Sequence, residues 1–282
     1  MTAAALLPRL RRKRSAMPGL GLTLGISLLW LSLIVLLPLS TVFVKSAGIG
    51  WDGFWQAAGS ERAMAAYRLS FGAAFVAALI NLVFGLLVAW VLVRYHFPGR
   101  RLLGAVVDLP FALPTAVAGI ALTTIYSQNG LVGSVLAPLG LPIAYRPAGI
   151  VIALVFVGLP FVVRTVEPVL EQLSKEVEEA AITLGATRRQ TFLRIILPAI
   201  APALATGFSL AFARGAGEYG SVIFIAGNMP YRTEIAPLLI ITQLEEYDYP
   251  GAAAIAVVML MISFTMLLVL NALQVWQRRR SA

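Results

Sequence analysis

The chain has 282 residues, 59% of them hydrophobic and only 12% charged, with a net charge of +9. Soluble domains carry about 25% charged residues, so an ordinary water-soluble globule is excluded, and the wealth of Leu, Ile, Val and Phe excludes disorder. The absence of cysteine and a single histidine, His96, exclude disulfide scaffolds, thiol nucleophiles and multi-histidine metal sites.

A helix needs about 20 largely apolar residues to cross the hydrocarbon core. Residues 1–19 form a basic tail ahead of a transmembrane region over 20–282. The first uncharged run, Ser15 to Val44, is apolar from Leu20. A cleaved signal has an apolar core of about 7–15 residues, so this longer run reads as a retained anchor. Leu69 to Val93 gives the second span. The third runs from Leu102 to about Tyr126, where Gln128, Asn129, Gly130, Pro138 and Pro142 break the pattern. Pro147 to Val163 supplies a short fourth span. The fifth starts at Ile195 or Pro198 and reaches about Ala226, interrupted by Arg214 and Glu218; Tyr249 to Gln277 is the sixth. The predicted class is all-α, a polytopic membrane protein with six transmembrane helices.

Lys and Arg in the connections orient the spans. With the N-terminus inside, the inner segments hold Arg9, Arg11, Arg12, Lys13, Arg14, Arg94, Arg100, Arg101, Arg164, Lys175, Arg188, Arg189, Arg194 and Arg278 to Arg280, sixteen in all. The outer segments hold five: Lys45, Arg62, Arg68, Arg146 and Arg232. An N-in, C-in topology follows. The +9 is a topology signal, and the cluster Arg11 to Arg14 is read the same way, with the bilayer and not nucleic acid as its partner.

One inner connection, residues 164–198, is long and holds five of the thirteen acidic residues. Ser174 can cap a helix whose first turns carry Glu176, Glu178 and Glu179, the charge favoured at a helix N-terminus. Val177, Ala180, Ala181 and Leu184 fall at i, i+3, i+4 and i+7, one apolar face. Gly185 supplies a left-handed C-terminal residue, and Thr187 to Gln190 is a capping box opening a second helix. An acidic helix matches an anionic leaflet poorly, so a protein partner is expected here.

Glu179-Ala180-Ala181, then Gly185 after three residues, nine more residues, and Ile195-Ile196-Leu197-Pro198 resemble the EAA loop of binding-protein-dependent ABC importer permeases. The resemblance covers about residues 66–270. Ala213 to Ser221, Gly227 to Ile235 and Gln243 to Tyr249 look most like the first permease subunit of sulfate/thiosulfate importers. Molybdate permeases and the second sulfate permease share Gly217-Glu218 and differ downstream.

This resemblance implies a type I ABC importer permease fold in a bacterial inner membrane. It implies that Glu179, Ala180, Ala181, Leu184, Gly185, Ile195, Leu197 and Pro198 couple to a cytoplasmic ATPase dimer. It also implies a second homologous permease subunit and an extracytoplasmic sulfate-binding protein. The chain has no G-x-x-x-x-G-K-[ST] motif, and its only lysines are Lys13, Lys45 and Lys175. No cofactor is therefore expected in this chain, and ATP is expected to be bound and hydrolysed by the partner.

Ionisable residues inside spans are costly and point to function. Arg214 and Glu218 lie four apart and can pair. They read either as a translocation-pathway or gate charge, or as a fixed salt bridge joining two subunits. Asp108, followed by Pro110 and Pro114, reads either as part of a broken or kinked helix near the pathway or as an interfacial carboxylate hydrogen-bonded to a neighbouring helix. Gly215 to Gly220 satisfies G-x-G-x-x-G inside an apolar span with no preceding strand, so it is read as close helix contact or local unwinding, not as a dinucleotide site. The apolar stretch Ile235 to Ile241 is too short to cross and is expected to be re-entrant or interfacial. An ion-coupled secondary transporter would show an internal repeat, which is not evident. A membrane enzyme lacks the clustered acid-base or metal-ligating groups it would need.

Overall fold

The computed structural model describes residues 20–281. The basic tail at 1–19 and the side chains of Arg278 to Arg280, all counted above for topology, lie outside the described residues. The helices are α1 (Leu20–Ala47), α2 (Gly50–Ala58), α3 (Glu61–Arg94), α4 (Arg100–Ala112), α5 (Thr115–Tyr126), α6 (Gly133–Leu136), α7 (Pro147–Gln172), α8 (Lys175–Thr183), α9 (Arg188–Ala216), α10 (Val222–Ala226), α11 (Ala236–Glu245) and α12 (Tyr249–Ser281), with no strand among the described residues. Of these, α1, α3, α7, α9 and the first part of α12, Tyr249–Ala272, are long and apolar enough to cross a membrane.

The third span is not the single helix expected. α4 and α5 meet at an angle of 114°. The cause is local: a residue before proline is pushed out of the helical region, and Leu113, preceding Pro114, is extended at φ −83° and ψ 135°. The bent pair still carries the chain across the bundle. At one end, Arg94 closing α3 pairs with Glu178 of α8, and α7 leads directly into α8. At the other end, Tyr126 closing α5 and Arg146 preceding α7 line one cavity together with Thr233, next to Glu234, which pairs with Arg62 at the start of α3. The chain leaves α3 at the first end and enters α7 at the second, so α4 and α5 make the remaining passage.

Small residues bring α3, α7 and α9 together, as expected where lipid removes the hydrophobic drive and close packing must supply the contact. Val162 of α7, wholly buried, inserts between two glycines. A Cβ on Gly85 of α3 would lie 2.8 Å from the Val162 Cβ, and one on Gly207 of α9 would lie 2.9 Å from its Cα. Phe71, Phe208 and Phe212 pack beside this seam. The second half of α1 packs on α12, while Leu20 to Leu37 stays exposed to the surroundings.

Several elements differ in extent from the sequence reading, among them α3, which begins at Glu61 and not at Leu69. α7 continues past Val163 to Gln172, so the connection read as starting at Arg164 begins as helix. α9 stops at Ala216 and does not reach Ala226; Gly217 to Ser221 are non-helical before the short α10. The Ile235 to Ile241 stretch forms part of α11, which is packed against α3 and α12 with Ala236, Leu238 and Leu239 buried. The Ala236 N–H donates to Ser70 Oγ of α3 at 2.7 Å.

Two wider π-type turns, Ser32–Leu36 in α1 and Phe192–Ile196 in α9, each end two residues before a proline, Pro38 and Pro198. A proline ring clashes with the carbonyl four residues back and offers no N–H, and a wider turn relieves both.

Candidate functional site

The break after α9 builds the centre of the site. Arg214 occupies the last turn of α9, where a cation complements the helix dipole. Glu218 follows in the break with its side chain 2% exposed, and one of its oxygens pairs with Arg214 Nη1. The other, Oε1, accepts from the Ser221 N–H and from Ser221 Oγ, each at 2.9 Å. The carboxylate thus satisfies backbone that the broken helix leaves unpaired, the condition for irregular backbone at membrane depth. Arg214 is partly open, its side chain 36% exposed. One fixed anion and one reachable cation therefore share the break.

The two broken elements touch each other. A Cβ on Gly220 would lie 2.1 Å from Thr115 Oγ1, and one on Gly119 of α5 would lie 2.5 Å from the Ser221 carbonyl oxygen. The start of α5 is thereby seated on the Gly217–Ser221 segment. The G-x-G-x-x-G run is thus local unwinding with close contact: a Cβ on Gly215 would lie 3.4 Å from Ala74 Cβ of α3.

Asp108 lies elsewhere. Its carboxylate accepts from Arg164 Nε at 2.8 Å and from Nη2 at 2.5 Å, a bidentate link from α4 to α7. Arg164 also donates to Glu167 and to the Gly104 carbonyl. The structure brings Arg214 and Glu218 together and does not bring Asp108 to them.

The loop helix forms as its residues dictate. Ser174 Oγ accepts from the Glu176 N–H at 3.1 Å, Gly185 adopts φ +84°, and the Thr187–Gln190 capping box is complete. Only Ala181 of the apolar face is buried. Leu184 is 89% exposed, Ile182 56% and Val177 42%, beside the exposed Glu179, Ala180 and Gly185. In contrast, Ile195, Ile196 and Leu197 turn inward to varying degrees, and Pro198 is exposed. The loop is moored by Arg94, whose Nη2 sits 2.5 Å from Glu178 Oε1 and also donates to the Leu173 carbonyl. Trp90, one turn before Arg94, meets Phe192 edge to face at 5.8 Å.

Sequence reasoning missed these long-range partners. Arg94 and Arg164 counted only as topology charges. Arg62 counted the same way, yet its guanidinium grips Glu234 through two bonds of 2.7 Å across 172 residues. Each mate lies far along the chain, and no local spacing announces it. Among the described residues no group of acidic and histidine side chains is placed to hold a metal.

Five long apolar helices, a sixth broken passage and a moored surface loop define a multi-pass membrane protein. The family described as "Binding-protein-dependent transport system inner membrane component" matches residues 81–282, and the chain belongs to it. The "Sulfate transport system permease protein CysT" of Escherichia coli (strain K12) is 51% identical over 261 residues, 93% of this chain and 94% of that protein. The protein of the same name from Synechocystis sp. is 51% identical over 254 residues, 90% and 89% of the two chains. A "Probable sulfate transport system permease protein cysT" of Marchantia polymorpha is 42% identical over 257 residues, 91% and 89% of the two chains. Among solved structures, a bacterial ABC transporter involved in the import of the acidic polysaccharide alginate superimposes with TM-score 0.75 at 20% identity, over 90% of this chain and 94% of that one. The MetNI methionine ABC transporter gives TM-score 0.57 at 18% identity, over 77% and 99%. That likeness establishes the type I ABC importer permease fold.

Proposed function

We propose that this chain is one half of the membrane channel of an ATP-driven sulfate importer. The observation that carries the reading is identity of about half the residues, along nearly the whole chain, to sulfate transport permeases. A cytoplasmic ATPase dimer binds the exposed apolar side of α8 around Leu184, Ala180 and Gly185, and hydrolyses the ATP. A second, homologous permease completes the pathway, and an extracytoplasmic binding protein delivers the anion. The α8 end faces the cytoplasm, in accord with its excess of Lys and Arg, and both termini lie on that side of the bacterial inner membrane.

Within this scheme α8 passes the closing of the ATPase to α9 through the π-type turn at Phe192–Ile196. Arg214 at the far end of the same helix and Glu218 in the break just after it then act as a gate. Asp108 holds α4 to α7 and so fixes the half-helix bordering the pathway.

Purified complex in proteoliposomes, loaded inside with ATP, tests the reading. Sulfate uptake that requires ATP and the binding protein is expected, with thiosulfate and molybdate added as competitors. Uptake by this chain alone without ATP, or no sulfate uptake by the complex, overturns it.

A further inference from the structure

At the end of the bundle opposite α8, a cavity of about 950 Å³ opens between the connection after α5, the start of α7 and the turn before α11. Arg146 and Arg232 both line it, and none of its lining residues is Asp or Glu. Neither arginine takes part in an ion pair among the described residues. Arg146 immediately precedes the first turn of α7, which has no side-chain cap, so the positive end of a 26-residue helix adds to the same side. Ser127, Gln128 and Asn129 place neutral hydrogen-bonding groups along the wall.

The rim is built, not incidental. Tyr145 is held at φ 60°, its N–H donating to the Ile225 carbonyl at 2.8 Å. Gly227, at φ 73°, lies so close that a Cβ there would sit 2.9 Å from Tyr145 Cδ1. The turn carrying Arg232 is closed by the Met229 N–H on Thr233 Oγ1 at 3.0 Å. These constraints fix the backbone on either side of the opening.

We propose that this cavity is an oxyanion-binding vestibule, in which Arg146 and Arg232 bind a tetrahedral dianion such as sulfate at the mouth of the pathway. The assignment rests on the sulfate reading above. Two guanidinium groups match a double negative charge and offer planar forks to its oxygens. No carboxylate competes for them, so the potential in the cavity favours anions.

Asn129→Cys gives this cysteine-free chain one thiol on the cavity wall. In the assembled transporter, labelling of this subunit is timed with a sulfonate-bearing and a trimethylammonium-bearing methanethiosulfonate of similar size. The anionic reagent should react about fivefold faster or more, and sulfate should slow it. Both effects should disappear in Arg146→Gln/Arg232→Gln and persist in Arg146→Lys/Arg232→Lys. Equal rates for the two reagents, or a preference unchanged in the Gln pair, overturn the proposal. Sulfate uptake is measured alongside. Absence of uptake with the anion preference intact removes the sulfate reading and leaves an anion site. Uptake lost in the Gln pair but recovered at saturating binding protein makes the cavity a protein-docking surface and overturns the vestibule.

Discussion

Arg94 and Glu178 join the end of α3 to the first turn of α8, guanidinium nitrogen to carboxylate oxygen at 2.5 Å, with the arginine stacked near Trp90. The pair is half-buried and bridges a core helix to the loop proposed to meet the ATPase. Its loss should cost about 1–3 kcal/mol, between the values for exposed and buried pairs. Because the cost falls on the loop and not on the core, Arg94→Gln should leave insertion intact, increase protease cleavage within residues 173–187, and lower uptake per ATP hydrolysed. Exchange of the two residues, Arg94→Glu with Glu178→Arg, should recover part of that ratio. An unchanged ratio in Arg94→Gln separates the mooring from coupling.

Gly185 and the two alanines before it test the surface of α8 itself. At φ +84° an aspartate is strained, and its charge lies beside exposed Leu184. Gly185→Asp should abolish transport and co-purification of the ATPase while the chain still inserts. Ala180→Glu, on an exposed position, should do the same. Ala181→Glu differs because Ala181 is buried, so it should also unsettle the loop, seen as faster proteolysis. Wild-type uptake with the ATPase still bound in Gly185→Asp removes the coupling role.

At the break after α9, the two partners of one pair should respond unequally. Glu218→Gln removes a charge but keeps an oxygen to accept from Ser221. Arg214→Ala strands a carboxylate that is almost fully buried, a loss of about 3–5 kcal/mol by analogy with broken buried pairs. Thermal unfolding in detergent should therefore fall clearly further for Arg214→Ala, while sulfate uptake falls in both. Normal uptake in Arg214→Ala speaks against a gate.

The seating of α5 on the break is tested by one methyl group. In Gly119→Ala the new Cβ meets a backbone oxygen that no rotamer change can move away. A loss of about 1–3 kcal/mol is expected. Gly72→Ala is the control: it is helical, exposed and free of neighbours within 4 Å, and should gain about 0.5–1 kcal/mol. Melting curves for the two variants that coincide would contradict the packing described.

Asp108 and Arg164 are each more than a third exposed, so solvent screens their link and its stability contribution should stay below about 1 kcal/mol. Asp108→Asn should insert and melt nearly as the wild type, with uptake reduced by no more than about twofold. Complete loss of uptake would assign the carboxylate to the pathway and not to the clamp.

The features legible in the chain were those set by neighbours along it. The cap at Ser174, the left-handed Gly185 and the Thr187–Gln190 box formed where expected because each depends on a few consecutive residues. Arg214 and Glu218 paired because four residues fix their separation, although the helix assumed to carry both ends at Ala216. The third span counts as one helix by composition, with a break raised only as one of two readings at Asp108, Pro110 and Pro114, because a proline marks where a helix can break and not how far it turns. The re-entrant or interfacial reading of Ile235 to Ile241 names no partner helix, because ten apolar-rich residues carry no mark of the helices that bury them.

By itself the sequence determined that lipid is the solvent, where the passages fall, and that one connection is a helix, glycine turn and helix. Hydropathy and capping act over a few turns at most, so they survive without knowledge of the fold. Only the tertiary structure decided that the third passage bends by 114° and that its second half rests on the break after α9. It also joined Arg62 to Glu234, Arg94 to Glu178 and Arg164 to Asp108, and set Arg146 and Arg232 around one cavity. The reason is physical: which distant charges meet depends on how closely α3, α7 and α9 approach, and that is set by glycine and alanine contacts summed over the whole bundle.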